Sequence, residues 1–179
     1  TMQDQFMSIR IASKLAIAYR SKYMLASHEG LEHAQITVAS PIQVTGESAL
    51  AGIYYSLEKN GAKVSQESKD LAQEELTTLA RINEENAGKK NFDADKLNVA
   101  LTDIKTAVAN AKQNNQDLTK DDIRKIVEET LKNYKLDTTV TGDQINLIVN
   151  FAANLSKSSV ISSKNFTKTL TDLKNSIVD

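Results

Sequence analysis

The sequence predicts an α+β chain that is predominantly α-helical, a helical bundle with a minor strand region near residues 34–45. Three observations carry that expectation. Apolar residues recur at intervals of three and four over most of the length, which is the period of a helix with one buried face. Only one short run is rich in β-branched residues, Ile36-Thr37-Val38, and Pro41 closes it because proline has no N–H to give a ladder. The stretch Thr45-Gly46-Glu47-Ser48 then supplies a helix start, so a β-pattern runs directly into a helix.

Composition bounds the rest. A chain of 179 residues is long enough to bury about 70% of its unfolded surface without disulfides or metals. The formal net charge of -1 provides no broad positive field for nucleic acid and no acidic excess of a solvating tail. With no cysteine, disulfide frameworks, thiolate zinc sites and cysteine nucleophiles are excluded. The absence of tryptophan and the single proline argue against an immunoglobulin-like sandwich and against a carbohydrate site of stacked indoles. Arg10, Lys14, Arg20 and Lys22 interrupt the most hydrophobic region, so no transmembrane segment is expected. The start Thr1-Met2 lacks signal-peptide features and reads as that of a processed, tagged or trimmed chain.

In chain order, Gln5 to Ser27 carries Phe6, Ile9, Ala12, Leu15, Ala16, Tyr19, Tyr23 and Ala26 at helical spacing, with Gly30 as a stop. Its basic residues allow a membrane-surface or wall-polymer reading, although basic residues on the outside of a core helix are ordinary. The strand Ala34 to Ala39 follows. One strand cannot satisfy its own backbone groups and no equally good second strand follows, although Pro41 to Thr45 can fold back or pair weakly. A partner chain or an N-terminal portion outside this sequence is expected to complete the sheet.

Glu47 to Asn60 reads as a helix through Ala49, Leu50, Ile53, Tyr54 and Leu57. Ser65 caps the next, with Leu71, Ala72, Leu76, Leu79 and Ala80 expected inward and Gly88 at its end. Asp93 to Gln113 follows, with the stripe Leu97, Ala100, Leu101, Ile104, Ala107, Val108 and Ala111. These helices are expected to alternate exposed charge with a buried stripe, as bundle members do.

Beyond Asn114 the chain repeats itself. Leu118 to Val127 recurs as Val140 to Val149, and each copy opens with a threonine followed three residues later by Asp122 or Gln144, the pattern of a capping box. Two short antiparallel helices are expected, and two copies are too few for a solenoid. A weaker echo relates Leu101 to Lys105 with Leu170 to Lys174, and a last helix, Ser163 to Val178, is expected to bury Phe166, Leu170, Leu173 and Ile177. Residues 1–113 and 114–179 are read as two parts of one compact domain.

Candidate chemistry is sparse. Gly46-Glu47-Ser48-Ala49 stands where a nucleophile elbow would hold its serine, with His28 and His33 near in sequence, but Leu50 occupies the place of the second glycine. Ser48 is better read as a hydrogen-bonding residue of the first helical turn. The same turn leaves the N–H groups of Gly46, Glu47 and Ser48 at a helix N-terminus, where an anion or carboxylate can sit. Thr45, Gly46, Glu47 and Ser48 are therefore the candidate ligand-binding residues. Two histidines without cysteines make a poor metal set. No Asp-x-Asp-x-Asp-Gly calcium loop exists, so no metal and no cofactor is expected. Asp93, Asp95, Asp121 and Asp122 read as acids answering helix dipoles, and Glu84-Glu85 with Lys89-Lys90 as a solvated face. The triplets at Asn154 and Asn165 match a glycosylation sequon, a match that arises readily by chance.

The run Gly30 to Pro41, then Val44 to Ile53, resembles the signature of domain-of-unknown-function family 1002, the YpuA-like proteins of Gram-positive bacteria. That signature has an Ala-x-Ile-x-Val-Ala-x-Pro strand followed by Val-x-Gly-x-x-Ala-Leu-x-Gly-Ile. Ala72 to Leu76 and the Leu118 to Val149 repeat resemble the C-terminal part of the family. The resemblance implies a secreted or cell-surface location and a further N-terminal region ahead of the strand, and it carries over no catalytic residue. The favoured expectation is a non-enzymatic extracellular or cell-envelope protein. It would bind a protein or peptide partner, or a second copy of itself, through the strand edge at Gln35, Ile36, Thr37 and Val38. A hydrolase with its site at Thr45 to Ser48 is the alternative, and adhesion through the basic first helix a third.

Overall fold

A computed structural model describes residues 54, 55, 58, 59, 63–162, 166–168, 170, 171 and 174. The described part is predominantly helical. The strand expected at 34–45, with its interface residues Gln35, Ile36, Thr37 and Val38, lies outside the described residues, as do the helix from Gln5, both histidines and the turn Thr45 to Ser48. No strand occurs among the described residues. The chain divides into two units, residues 1–76 and 77–179.

In the first unit Tyr54, Tyr55, Glu58 and Lys59 are helical, within the helix that the Ala49 to Leu57 stripe predicts. Helix α1, Gln66–Glu85, begins there. Ser65 caps it as expected: its hydroxyl oxygen accepts from the Ser68 backbone N–H at 3.1 Å. Lys69 pairs with Glu58, and the two tyrosines carry lysines over their rings, Lys59 on Tyr55 and Lys69 on Tyr54. Leu71, Ala72, Leu76, Leu79 and Ile82 are buried along α1, whereas Ala80, expected inward, is exposed. Ala80 lies about 100° around the axis from Leu79, past the edge of the stripe, and a methyl group loses little by facing water. Glu75 is buried as well, against the expectation that charges alternate outward.

The second unit is built on helix α2, Ala94–Gln113. Its N-cap is Asp93, whose carboxylate accepts from the N–H groups of Asp95 at 2.9 Å and Lys96 at 3.2 Å. Leu97, Val99, Ala100, Leu101, Ile104, Val108 and Ala109 are all buried. Burial on so many sides places α2 centrally, with α3 (Lys120–Asn133) and α4 (Gly142–Lys157) packed on it and on each other. The 3-10 turn Val160–Ser162 packs on α2 and α4. Lys105, at 2% exposure, is among the largest enclosed side chains. A helix enclosed on several sides leaves no solvent face for every charge, which is why the expected outward alternation fails at this position.

Both repeat copies form capping boxes. Thr119 accepts from Asp122 N–H at 3.1 Å and gives its own N–H to the Asp122 carboxylate at 3.0 Å. Thr141 and Gln144 do the same at 3.3 and 3.0 Å. Helices α2 and α3 end in matching Schellman turns, each with a non-glycine residue in the left-handed region, Asn115 at φ 55° and Lys135 at φ 57°. In the second, Leu136 N–H reaches back to Leu131 C=O at 2.8 Å and Lys135 N–H to Lys132 C=O at 2.9 Å. The buried Leu131 and Leu136 supply the apolar contact of that motif. Phe166 and Leu170 are helical and buried, as the last apolar stripe predicts.

Candidate functional site

The residues the sequence singles out, Thr45, Gly46, Glu47 and Ser48, are not among those described. Among the described residues the polar side chains gather instead into two clusters of the second unit.

The first joins the end of α1 to the start of α4. Asn86, fully enclosed, gives its amide N–H to Ile82 C=O at 2.8 Å and to Gln144 Oε1 at 3.0 Å. That same Gln144 oxygen accepts the Thr141 backbone N–H of the capping box. The Gln144 amide nitrogen donates to Glu85 Oε2 at 2.6 Å. Arg81 Nε donates to the other Glu85 oxygen at 2.8 Å, and Lys89 Nζ to Asn86 Oδ1 at 2.8 Å. Hydrogen bonds from Arg81, then from Gln144, hold the Glu85 carboxyl below its ordinary range, and the same contact raises Arg81. Glu85 and Lys89 thus do more than solvate a face: each fixes one side of an enclosed amide.

The second cluster centres on Asp103 of α2. Tyr134, at the C-cap of α3, donates its hydroxyl to Asp103 Oδ2. Lys174 Nζ donates to both carboxylate oxygens, at 2.7 and 2.9 Å. Burial, then the hydrogen bond to Asp103, pushes the Tyr134 phenol up. The Asp103 carboxylate raises Lys174 in turn. Both shifts carry the groups away from neutral pH. Tyr134 and Lys174 are therefore set to hold their protons through neutral pH, and proton exchange near neutrality is the opposite requirement.

Neither cluster is visible as a motif, although each left a trace. Gln144 stands at the third position of a capping box, and Asp103 and Lys174 both fall in the Leu-Thr-Asp-x-Lys echo. The echo extends to geometry: Thr102 and Thr171 each give their hydroxyl to the carbonyl four residues back, at 2.9 and 3.0 Å. Asn154 of the sequon is an exposed residue within α4. No group of three or more metal-ligating side chains occurs among the described residues, and no helix among them is long and apolar enough to cross a membrane.

Residues 12–173 match the family described as protein of unknown function (DUF1002), and the chain belongs to that family. No curated protein and no solved structure matches it.

Proposed function

For this member of the family we propose a non-enzymatic role outside the cell or in the cell envelope of a Gram-positive bacterium, exerted by binding. The binding element is the strand edge at Gln35, Ile36, Thr37 and Val38, which takes a protein or peptide partner by strand addition, with Thr45 to Ser48 as an adjoining ligand turn. The observation that carries this reading is the lone β-pattern in a chain otherwise patterned for helix. Its backbone donors and acceptors need a partner, and the sequence offers no equally good second strand pattern, only a weak one at Pro41 to Thr45. The second unit supports the reading from another side. The Asp103, Tyr134, Glu85 and Gln144 side chains direct their polar atoms at one another, as in a scaffold.

Co-sedimentation of the purified protein with isolated Gram-positive envelopes tests it. Binding should fall by roughly tenfold or more in Thr37→Pro, which removes a ladder donor, while the helical content holds. Ester hydrolysis that disappears in Ser48→Ala would overturn the reading in favour of an enzyme, and envelope binding indifferent to Thr37→Pro would remove the strand from it.

A further inference from the structure

Helix α4 presents a solvent face that helix formation does not call for. Asn146, Asn150 and Asn154 stand four residues apart and all three are exposed. Asparagine is among the poorer helix formers, because its short amide competes for backbone hydrogen bonds. No charged residue occurs from Gln144 to Ser156, in a chain of which 25% is charged. Exposed helix faces are ordinarily filled with Lys, Glu and Arg, which favour the helix and keep it soluble. A neutral amide stripe does neither, so another requirement must select it.

The stripe is symmetric about Asn150. Asn146 and Asn154 lie four residues to either side, the half-buried Leu147 and Ala153 three, and the exposed Asp143 and Lys157 seven. At about 100° per residue these seven positions fall on one face of the helix. An antiparallel copy of α4, turned about a two-fold axis at Asn150, sets Asn150 against its own image and Asn146 against Asn154. The same rotation sets Leu147 against Ala153 and Asp143 against Lys157. Each amide carries both a donor and an acceptor and so complements another amide, while the two ends of the pair match opposite charges. Asp143 and Lys157 each answer the helix dipole, and Asp143 also faces the charge of Arg81. Their placement at equal distances from the centre of the amide stripe gives the face a partner. The Asn150 side chain makes no hydrogen bond to any described residue, and Asn146 Oδ1 is steadied by Arg124 Nη2.

We propose that this face of α4 is a self-docking surface whose occupant is a second copy of the chain, paired isologously about Asn150. It uses no residue of the strand edge invoked above, so the two proposals fail independently. A helix of 16 residues spans about 24 Å and makes a smaller contact than a standard interface, so association is weak, with a dissociation constant on the order of 100 μM.

Sedimentation equilibrium from about 10 μM to about 1 mM, a range bracketing that affinity, reads the outcome. The mean mass should rise from 19.7 kDa towards twice that value. Asn150→Lys, which brings two like charges together at the axis, should leave a monomer with an unchanged circular dichroism melt. Asp143→Lys and Lys157→Asp should each weaken the dimer about tenfold, and the double reversal should restore it to within about threefold. Because the chain has no cysteine, Asn150→Cys should form a disulfide-linked dimer on mild oxidation, and Lys125→Cys should not. A mass constant up to the highest concentration would overturn the proposal. So would a dimer that persists in Asn150→Lys, since it would be held by another surface.

Discussion

Gln144 closes the cap of its own helix with its oxygen and, with its nitrogen, holds Glu85 at the far end of α1 at 2.6 Å. One enclosed amide therefore joins a local motif to a tertiary one. Its counterpart in the other repeat copy, Asp122, caps α3 in the same way but takes no such long-range partner among the described residues.

The two positions should respond differently to charge. Gln144→Glu keeps the acceptor for Thr141 and Asn86 but replaces the donor to Glu85 with a second carboxylate. Loss of a part-buried hydrogen bond and a new repulsion, screened because Glu85 is exposed, should lower stability and the thermal midpoint at pH 7. Below the ordinary glutamate range one carboxyl accepts a proton and donates again, so the deficit against the parent should shrink as pH falls.

Acid should also act through the caps. Glu85 and Asp122 are both held below their ordinary carboxylate values, Glu85 by Arg81 and Gln144, Asp122 by Thr119. A lowered folded-state pKa gives stability that is present above the unfolded value and is lost as pH falls through the folded one. Unfolding midpoints should therefore decline at acid pH, and Asp122→Asn should flatten that decline while costing some stability at pH 7. Urea titrations between pH 7 and pH 2 check both.

The Asp103 cluster has the opposite sign. Tyr134 and Lys174 are both raised in the folded chain. Their contribution is complete below the ordinary tyrosine and lysine values and is lost as pH rises through the folded ones. Tyr134→Phe should remove a component that titrates above the ordinary tyrosine value from the phenolate absorbance. Lys174 is 40% exposed, so Lys174→Met should cost under about 1 kcal/mol, less than Asp103→Ala, which strips the partner from both donors.

Lys135 occupies the left-handed region at φ 57°, one residue past the C-cap Tyr134 of α3. A side chain there costs about 1–2 kcal/mol, part of which glycine gives back through its freer unfolded chain. Lys135→Gly should thus raise stability by roughly 0.5–1 kcal/mol. The gain at Asn115→Gly should be smaller, because asparagine tolerates this region better than lysine. Chemical denaturation of the two variants side by side measures the difference.

Local sequence alone determined much of the helical scaffold. Ser65, Asp93, Thr119 and Thr141 cap where their spacing indicates, because capping is settled within four residues of chain. The stripes through Leu97 and Ile104, and through Phe166 and Leu170, are buried as their period requires, since a single amphipathic face has one low-energy orientation against a core. Tertiary structure decided the rest. Lys105 and Glu75 are enclosed, and Ala80 faces out, because burial depends on how many neighbours surround a helix and no periodicity records that number. The partners of Gln144 and of Asp103 lie 59 and 71 residues away. A hydrogen bond across such a separation exists only once the fold has brought the two ends together, and the local motif at either end does not name its partner.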